Sequence, residues 1–124
     1  RLDPGNALGN ISSTIHETGH ALHYQYLPEE WRGQPVGKAG DMCMREAVAL
    51  FWQIYVAQTP EFCAYLGSLL EEHAQVSLGA DELYASQQYI AASPLRVGSD
   101  PATYALHILI RYRIERDLIN GVQD

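Results

Sequence analysis

Three helix-start signatures constrain the fold of this chain more than any other feature. A capping residue is followed directly by proline at Asp3-Pro4, Thr59-Pro60 and Asp100-Pro101. Proline suits the first turn of a helix because the N–H that it lacks would have no intrahelical acceptor there, and because its φ is already helical. Apolar residues then recur at helical spacing, and no segment shows the alternation expected of a strand. The pattern therefore predicts an all-α fold.

The helical pattern divides the chain into five segments and their connections. The predicted helices span approximately residues 3–26, 41–58, 59–75, 81–92 and 100–120. Residues 27–40 are rich in proline and glycine, which is typical of a loop, and residues 93–99 form a shorter connection. The second helix is apolar nearly all round, as buried helices are. We expect a helical bundle in one domain over residues 1–124, and a fragment of a longer architecture, because the chain starts in mid-pattern without methionine.

The acidic composition of the chain excludes several classes of partner. A total of 15 acidic residues against 8 Lys and Arg gives a formal net charge of −7. Nucleic acids and anionic membrane surfaces are bound by basic patches, so neither is an expected partner. No window approaches the ~18 apolar residues of a membrane span. Cys43 and Cys63 are too few for a disulfide framework, and each lies in an apolar helical context where a buried thiol is the common case.

The motif with the clearest chemistry lies on the first predicted helix. Residues 15–20 read Ile-His-Glu-Thr-Gly-His, so His16 and His20 are four residues apart. Because residues i and i+4 lie on the same face of a helix, the two imidazoles can bind one metal ion. Glu17, next to the first ligand, is then placed to act as the catalytic base towards a water that zinc activates. A helix with capping or solvent-facing histidines is the structural alternative.

A catalytic zinc site needs a third protein ligand and an open fourth position. Glu46 is the best candidate, because a lone carboxylate on an apolar helix is costly to bury unless it is paired or coordinating. The alternative for this residue is an ion pair with Arg45. His23 is expected to lie at the surface or behind the ligands. We expect the His-Glu-x-x-His helix to pack antiparallel or obliquely against the Glu46 helix, with the last helix behind.

The sequence also resembles the carboxypeptidase Taq family, the M32 metallocarboxypeptidases, over nearly its whole length. The matching segments are residues 15–22, Leu27-Pro28, residues 31–37, Glu46 with Trp52, residues 95–97, Asp100 and residues 103–108. The resemblance implies a mainly helical, cytoplasmic and often dimeric enzyme that removes single amino acids from peptide and protein C-termini. It also implies a divalent metal, commonly Zn²⁺ with Co²⁺ as a substitute, and it strengthens Glu46 as the third ligand.

The resemblance further implies roles for four residues near the end of the chain. Arg96 is expected to bind a substrate carboxylate, which its guanidinium fork fits, or else to form a structural ion pair. Tyr104 is expected to bind substrate by hydrogen-bonding the tetrahedral intermediate, or to be a core tyrosine. Asp100 is expected to orient a ligand histidine through its second nitrogen, or simply to cap the last helix. His107 is expected to lie in the core or behind the ligands.

The chain departs from the family pattern in ways that keep two alternatives open. The family's His-Glu-Ser motif reads Arg45-Glu46-Ala47 here, and the motifs that flank this segment in the family are absent. One alternative is a truncated or degenerate metal-binding module without peptidase activity. The other is an oligoendopeptidase-like enzyme, whose zinc motif is similar and also fits His23. The two most apolar helices predict a homo-oligomer, or packing against the missing segments of a longer chain.

Overall fold

The computed structural model of the protein describes residues 3–122 of the 124-residue chain. The described helices are α1 (Ala7–Gln25), α2 (Met42–Leu50), α3 (Pro60–Ala74), α4 (Ala80–Gln87) and α5 (Pro101–Ile119). A π-helical segment, Phe51–Val56, continues α2, and short 3-10 turns occur at Glu29–Trp31, Pro35–Gly37 and Arg96–Gly98. No strand occurs among the described residues, so the all-α prediction is confirmed.

Two of the three predicted helix starts are confirmed by their capping hydrogen bonds. The side chain of Thr59 accepts a hydrogen bond from the backbone N–H of Phe62 at the start of α3. The Asp100 carboxylate accepts from the backbone N–H groups of Ala102 and Thr103 at the start of α5. In both helices a side-chain oxygen therefore satisfies donors that the first turn leaves unpaired.

The third predicted start, at Asp3, is wrong because the chain turns there before the helix begins. Asp3 accepts a hydrogen bond of 2.9 Å from the backbone N–H of Gly5. α1 begins at Ala7, with Asn6 as its N-cap. Glycine is unfavourable within a helix, so the cap moves past Gly5 to Asn6, which is as good a capping residue as aspartate.

The described chain divides into two compact units, with the boundary between Tyr84 and Ala85. In the first unit, α1 packs against α2 and against the π-helical segment. α3 lies so close to the chain that follows it that a Cβ at Gly67 would fall 3.0 Å from the carbonyl oxygen of Leu78. The buried apolar residues of the described chain all lie in this unit: Ala39, Ala49, Ala57, Cys63, Leu66 and Leu83. The single domain over residues 1–124 stays a prediction.

Burial differs from the sequence prediction on the second helix. Ala49 is the buried residue of α2, whereas Met42 and Met44 are exposed. The helix meets α1 chiefly along one face, so its apolar character does not by itself bury the other faces. Cys43 on α2 is likewise exposed, contrary to expectation, whereas Cys63 on α3 is buried as expected. No disulfide joins these two described cysteines.

The second unit contains α5 and the turn before it. The 3-10 turn Arg96–Gly98 packs against α5. α5 has no buried residue among those described, although many of its side chains are apolar. None of the described helices is long and apolar enough to span a bilayer.

α4 is shorter than the predicted segment 81–92 and ends at Gln87. Leu83 is its buried residue. Beyond the observed end, Tyr89 and Ile90 are exposed. Continuing the helix through them would gain no burial, and burial of an apolar face is what stabilises a short helix.

Candidate metal centre

A buried glycine of α1 lies at the contact between α1 and α2. Gly19 is buried on α1, and a Cβ at this position would lie 2.8 Å from the Cα atom of Ala49 and 3.2 Å from Cδ1 of Trp52. Real side chains do not tolerate a 2.8 Å approach to backbone, because interiors are close-packed. The missing side chain therefore allows the two helix backbones to lie side by side.

The two helices run antiparallel, in agreement with the predicted packing. A hydrogen bond joins Gln53 to Ser12 near one end of their contact, and another joins Arg45 to Tyr24 near the other end. The contact at Gly19 lies between these two bonds. Residues early in α1 thus contact the π-helical segment that continues α2, and residues late in α1 contact the start of α2.

Three side chains converge at this contact, His16 and His20 from α1 and Glu46 from α2. The Nε2 atom of His16 lies 3.4 Å from Oε2 of Glu46, and the Nε2 atom of His20 lies 3.6 Å from Oε1. One ligand atom from each residue lies within 4.8 Å of the others. The histidine side chains are 20% and 22% exposed and that of Glu46 is 44% exposed, so solvent and small solutes can reach the cluster.

The spacing of these atoms fits a shared metal ion better than direct hydrogen bonds. An N–H to oxygen hydrogen bond spans about 2.7–3.2 Å, which is shorter than either separation. Two ligands on a tetrahedral zinc ion, each about 2.0–2.1 Å from the metal, lie roughly 3.4 Å apart. Two imidazole nitrogens and one carboxylate are also a donor set of catalytic zinc sites, which keep a fourth position open. The residues present therefore fit a catalytic metal ion.

The second ring nitrogen of His16 is hydrogen-bonded to the π-helical segment. His16 Nδ1 lies 2.8 Å from Oε1 of Gln53, and Nε2 of Gln53 donates to Oγ of Ser12 at 2.9 Å. In this orientation of the amide its oxygen can only accept, so the bond assigns the proton of a neutral His16 ring to Nδ1. The lone pair of His16 Nε2 then faces the carboxylate of Glu46.

The sequence prediction missed Gln53 and Ser12, although a signal for them was present. Gln53 lies seven residues after Glu46, and Ser12 lies four residues before His16. Residues at these intervals share a face of a helix. A second polar residue on the ligand-bearing face of each helix is therefore the pattern that would have pointed to this pair.

Glu17, the predicted catalytic base, lies beside the cluster without joining it. Its side chain is exposed. Among the described residues, no side chain or backbone group is hydrogen-bonded or ion-paired to its carboxylate. The carboxylate is thus available to accept a proton from, or return one to, a molecule that enters from solvent.

The arginine next to Glu46 binds away from the cluster. Arg45 donates from Nη1 to the hydroxyl of Tyr24 at 2.9 Å. Within the described part of the chain it forms no ion pair with Glu46, so the alternative partner considered for that carboxylate is not observed. Nε2 of His23 lies 2.9 Å from the backbone oxygen of Ala39, which connects α1 to the following loop.

In the second unit, the two predicted substrate-binding residues contact each other. Nη1 of Arg96 donates to the hydroxyl of Tyr104 at 2.5 Å, and the guanidinium carbon lies 5.5 Å from the centre of the tyrosine ring. Both residues are half-buried. No carboxylate of the described residues is ion-paired with Arg96, so the structural ion pair considered as the alternative is not observed.

The remaining two predicted residues also lie in the second unit. The Asp100 carboxylate accepts hydrogen bonds from three backbone N–H groups and from the hydroxyl of Thr103. These bonds, foremost the one from the Thr103 hydroxyl, lower the pKa of Asp100. Asp100 therefore acts as a cap, while the hydrogen bond that orients His16 comes from Gln53. A role for Asp100 towards a ligand histidine stays a prediction. His107 is half-buried on α5.

Comparison with known proteins finds a family model and relatives that all describe carboxypeptidases. The family model for carboxypeptidase Taq (M32) metallopeptidases matches residues 1–123. Carboxypeptidase 1 of Bacillus subtilis is 29% identical over 124 residues, which cover 98% of this chain and 25% of that protein. Thermostable carboxypeptidase 1 of Thermus thermophilus is 32% identical over 115 residues, which cover 90% of this chain and 22% of that protein.

A solved structure agrees with these relatives in fold. Trypanosoma cruzi metallocarboxypeptidase 1 matches with a TM-score of 0.83 and 28% identity over 93% of this chain and 24% of its own. The chain thus spans about a quarter of the length of the curated relatives that it matches. The family model covers nearly every residue of the chain, including both helices that carry the His-His-Glu cluster. The chain therefore belongs to the carboxypeptidase Taq (M32) metallopeptidase family.

Proposed function

We propose that this chain provides the metal centre of a zinc-dependent metallocarboxypeptidase, with His16, His20 and Glu46 as ligands. The observation that carries the proposal is the separation of the ligand atoms, 3.4 and 3.6 Å between each histidine Nε2 and an oxygen of Glu46. Family membership supports a metal ion and the peptidase reaction. The two imidazole donors favour zinc over magnesium or calcium, and cobalt is a reasonable substitute.

The three proposed ligands, Glu17 and Gln53 have distinct tasks in the proposed peptide hydrolysis. His16, His20 and Glu46 would hold a zinc ion, which when bound would supply Lewis acidity towards the scissile carbonyl and lower the pKa of a water molecule. Glu17 accepts a proton from the attacking water on its free carboxylate and then delivers it to the leaving amine. The ligands hold the ion, and the bond from Gln53 keeps the proton of His16 on the nitrogen that faces away from it.

Arg96 is proposed to bind the C-terminal carboxylate of the substrate, and Tyr104 to hydrogen-bond the tetrahedral intermediate. Arg96 uses Nη1 to donate to Tyr104. A guanidinium has five N–H donors in a rigid fork, so several remain for a carboxylate, and no described carboxylate occupies them. The tyrosine contact also removes rotational freedom from the arginine, which lowers the entropic cost of binding.

The same proposal includes the substrates, the cellular location and the assembly of the enzyme. Its substrates are the C-termini of peptides or proteins, its location is the cytoplasm, and it forms a homo-oligomer or packs against segments of a longer chain. The alternative is a metal-binding module without peptidase activity. That alternative is favoured by one departure from the family pattern, the sequence Arg45-Glu46-Ala47 in place of His-Glu-Ser.

Replacing Glu17 tests the proposed reaction. Glu17→Gln removes the base while keeping the shape of the side chain, so zinc should still bind, and the rate of C-terminal release from a peptide should fall about 10²–10⁴-fold. Glu71→Gln, an exposed glutamate on α3, is the matched control and should keep the full rate. Equal rates for Glu17→Gln and wild type would rule out this residue as the base.

Blocked peptides distinguish the proposed carboxypeptidase from an endopeptidase. A peptide amidated at its C-terminus lacks the carboxylate that Arg96 is proposed to bind, so it should be cleaved much more slowly than the free acid. Equal cleavage of both peptides would favour the oligoendopeptidase-like alternative. Zinc-loaded chain that cleaves neither peptide, with Glu17 intact, would favour the module without activity.

A further inference from the structure

The contacts of Gln53 give this residue a role that is separate from metal ligation. Gln53 reaches across from the π-helical segment to α1, where Oε1 lies 2.8 Å from His16 Nδ1 and Nε2 lies 2.9 Å from Ser12 Oγ. Both bonds are part-buried. The amide therefore uses both of its ends, each on a different residue of the same helix.

The orientation of this amide determines which nitrogen of His16 is free for a metal. With Oε1 towards His16, the ring must donate from Nδ1, and the lone pair stays on Nε2. With the amide turned over, its NH₂ group would donate to Nδ1 and the proton would move to Nε2. A protonated Nε2 has no lone pair for a metal, so the observed orientation of Gln53 favours formation of the proposed site.

We propose that Gln53 is a positioning residue that holds His16 in its metal-binding tautomer, and that the hydrogen bond to Ser12 anchors the end of the Gln53 side chain beside His16. The proposal rests on the ligand role proposed above for His16. Histidine ligands are usually oriented by a carboxylate, a backbone carbonyl or water. Gln53 supplies the acceptor without a negative charge, so it fixes the proton of His16 without attracting it as strongly as a carboxylate does.

Three variants test the proposal, each measured in two ways on the full chain. The first measurement is the ¹⁵N chemical shifts of the His16 ring nitrogens without metal, at alkaline pH where imidazoles are neutral. The second is the Zn²⁺ affinity from competition with a chromogenic chelator. Gln53→Leu removes the acceptor, Gln53→Glu keeps an acceptor, and Ser12→Ala removes only the support of the amide. Gln25→Leu, at an exposed glutamine of α1, is the control.

The expected results separate positioning from a general effect on folding. Wild type, Gln53→Glu and Gln25→Leu should show the proton of His16 on Nδ1. Gln53→Leu should shift the ring towards the Nε2–H tautomer and weaken Zn²⁺ binding about 10–100-fold. Ser12→Ala should produce a mixture of tautomers and a smaller loss. Rescue by Gln53→Glu would show that the acceptor matters, because that variant cannot donate to Ser12.

Two results would overturn the proposal, and they differ from failure of the metal site itself. A wild-type spectrum with the proton on Nε2 would do so, as would Gln53→Leu with unchanged tautomer and unchanged affinity. If Gln53→Leu does not fold, Ser12→Ala tests the proposal instead. An unchanged His16 spectrum and an unchanged Zn²⁺ affinity in Ser12→Ala would count against the positioning of His16 by Gln53 and Ser12. If wild type binds no Zn²⁺, the proposed role of His16 as a metal ligand is refuted. The tautomer of His16 in the same protein still shows whether Gln53 holds the proton on Nδ1.

Discussion

Gly19 lies at the contact between α1 and α2, one residue before the proposed ligand His20 and opposite Ala49. A Cβ at this position would fall 2.8 Å from a backbone atom of the facing helix, which cannot move aside as the end of a flexible side chain can. The separation of the two helices at this point sets how far His20 lies from Glu46. The glycine between the histidines thus contributes to the geometry of the site without touching a metal.

Gly19→Ala should destabilise the protein although alanine is the better helix former. Helix propensity alone would favour alanine by about 1 kcal/mol, whereas overpacking against Ala49 costs about 1–3 kcal/mol. We expect a lower melting temperature together with weaker Zn²⁺ binding. Thermal unfolding and a chelator competition would measure the two effects.

Ser13→Ala is the control for this substitution, because Ser13 is exposed on the same helix. It should leave both stability and Zn²⁺ binding close to wild type. A Gly19→Ala variant that is as stable as wild type and binds Zn²⁺ equally well would show that the helices can separate without cost.

The residues of the site differ in how far the sequence reveals them. His16, His20 and Glu17 follow from one short motif, and Glu46 follows from the cost of a lone carboxylate on an apolar helix. Gln53 is 37 residues from His16 in sequence, and its contact depends on the close approach of two helices. Local pattern predicts which residue types can bind a metal, whereas their positioning contacts depend on packing.

At the scale of helices, the start of α5 depends on Asp100. Its carboxylate accepts from two N–H groups of the first turn, from the backbone N–H of Ala91 and from the Thr103 hydroxyl. The negative charge also lies at the positive end of the helix dipole. The same carboxylate therefore starts the helix and connects it to the chain that precedes it.

Acid should weaken the start of α5. The pKa of Asp100 in the folded chain is lowered from its ordinary value of 3.8, with the Thr103 hydrogen bond as the largest cause. A lowered pKa means that the stabilisation is fully present above the unfolded value and is lost as the pH falls through the folded pKa. A ¹³C NMR titration of the Asp100 carboxyl group should therefore give a midpoint below 3.8.

Asp100→Asn provides the control for this pH dependence. Asparagine caps a helix nearly as well as aspartate but does not titrate. Amide hydrogen exchange at Thr103 should therefore accelerate in acid for wild type relative to this variant. A carboxyl midpoint at or above the ordinary value would contradict the assignment of these hydrogen bonds as stabilising the charged form.

Helix starts show where local sequence decides structure and where it does not. Thr59 and Asp100 cap helices as predicted, because their side chains need only the next three residues to make their bonds. Asp3 does not, since Gly5 and Asn6 offer a later start. The π-helical segment Phe51–Val56 has no signature in the sequence, because its apolar residues suit an α-helix equally well.

At the scale of the whole molecule, apolar side chains on α5 are exposed. The apolar and aromatic residues of this helix that are exposed are Leu106, Ile108, Leu109, Ile110, Tyr112, Ile114, Leu118 and Ile119. They surround the helix, so no single face of it is polar. The sequence predicted that the two most apolar helices need a second copy of the chain or further segments to cover them. Burial depends on what packs against a helix, and the pattern along one helix does not contain that information.

Exposed apolar surface of this kind should make the chain self-associate. Patches larger than a few hundred Å² are rare on monomeric proteins. Light scattering should show a mean mass that rises with concentration, and paired substitutions Leu106→Ser and Ile110→Ser should reduce it. A monomer at high concentration would contradict this expectation.

The metal content of the purified chain tests whether His16, His20 and Glu46 bind one metal ion. Wild type and Glu46→Ala would be dialysed against zinc without chelator and then measured by mass spectrometry, with Glu71→Ala as a control for loss of one carboxylate. We expect about one zinc ion per chain in wild type and control, as for a three-ligand site, and a sharp loss in Glu46→Ala. Equal zinc in all three proteins, or none in wild type, would contradict the proposed His16–His20–Glu46 centre.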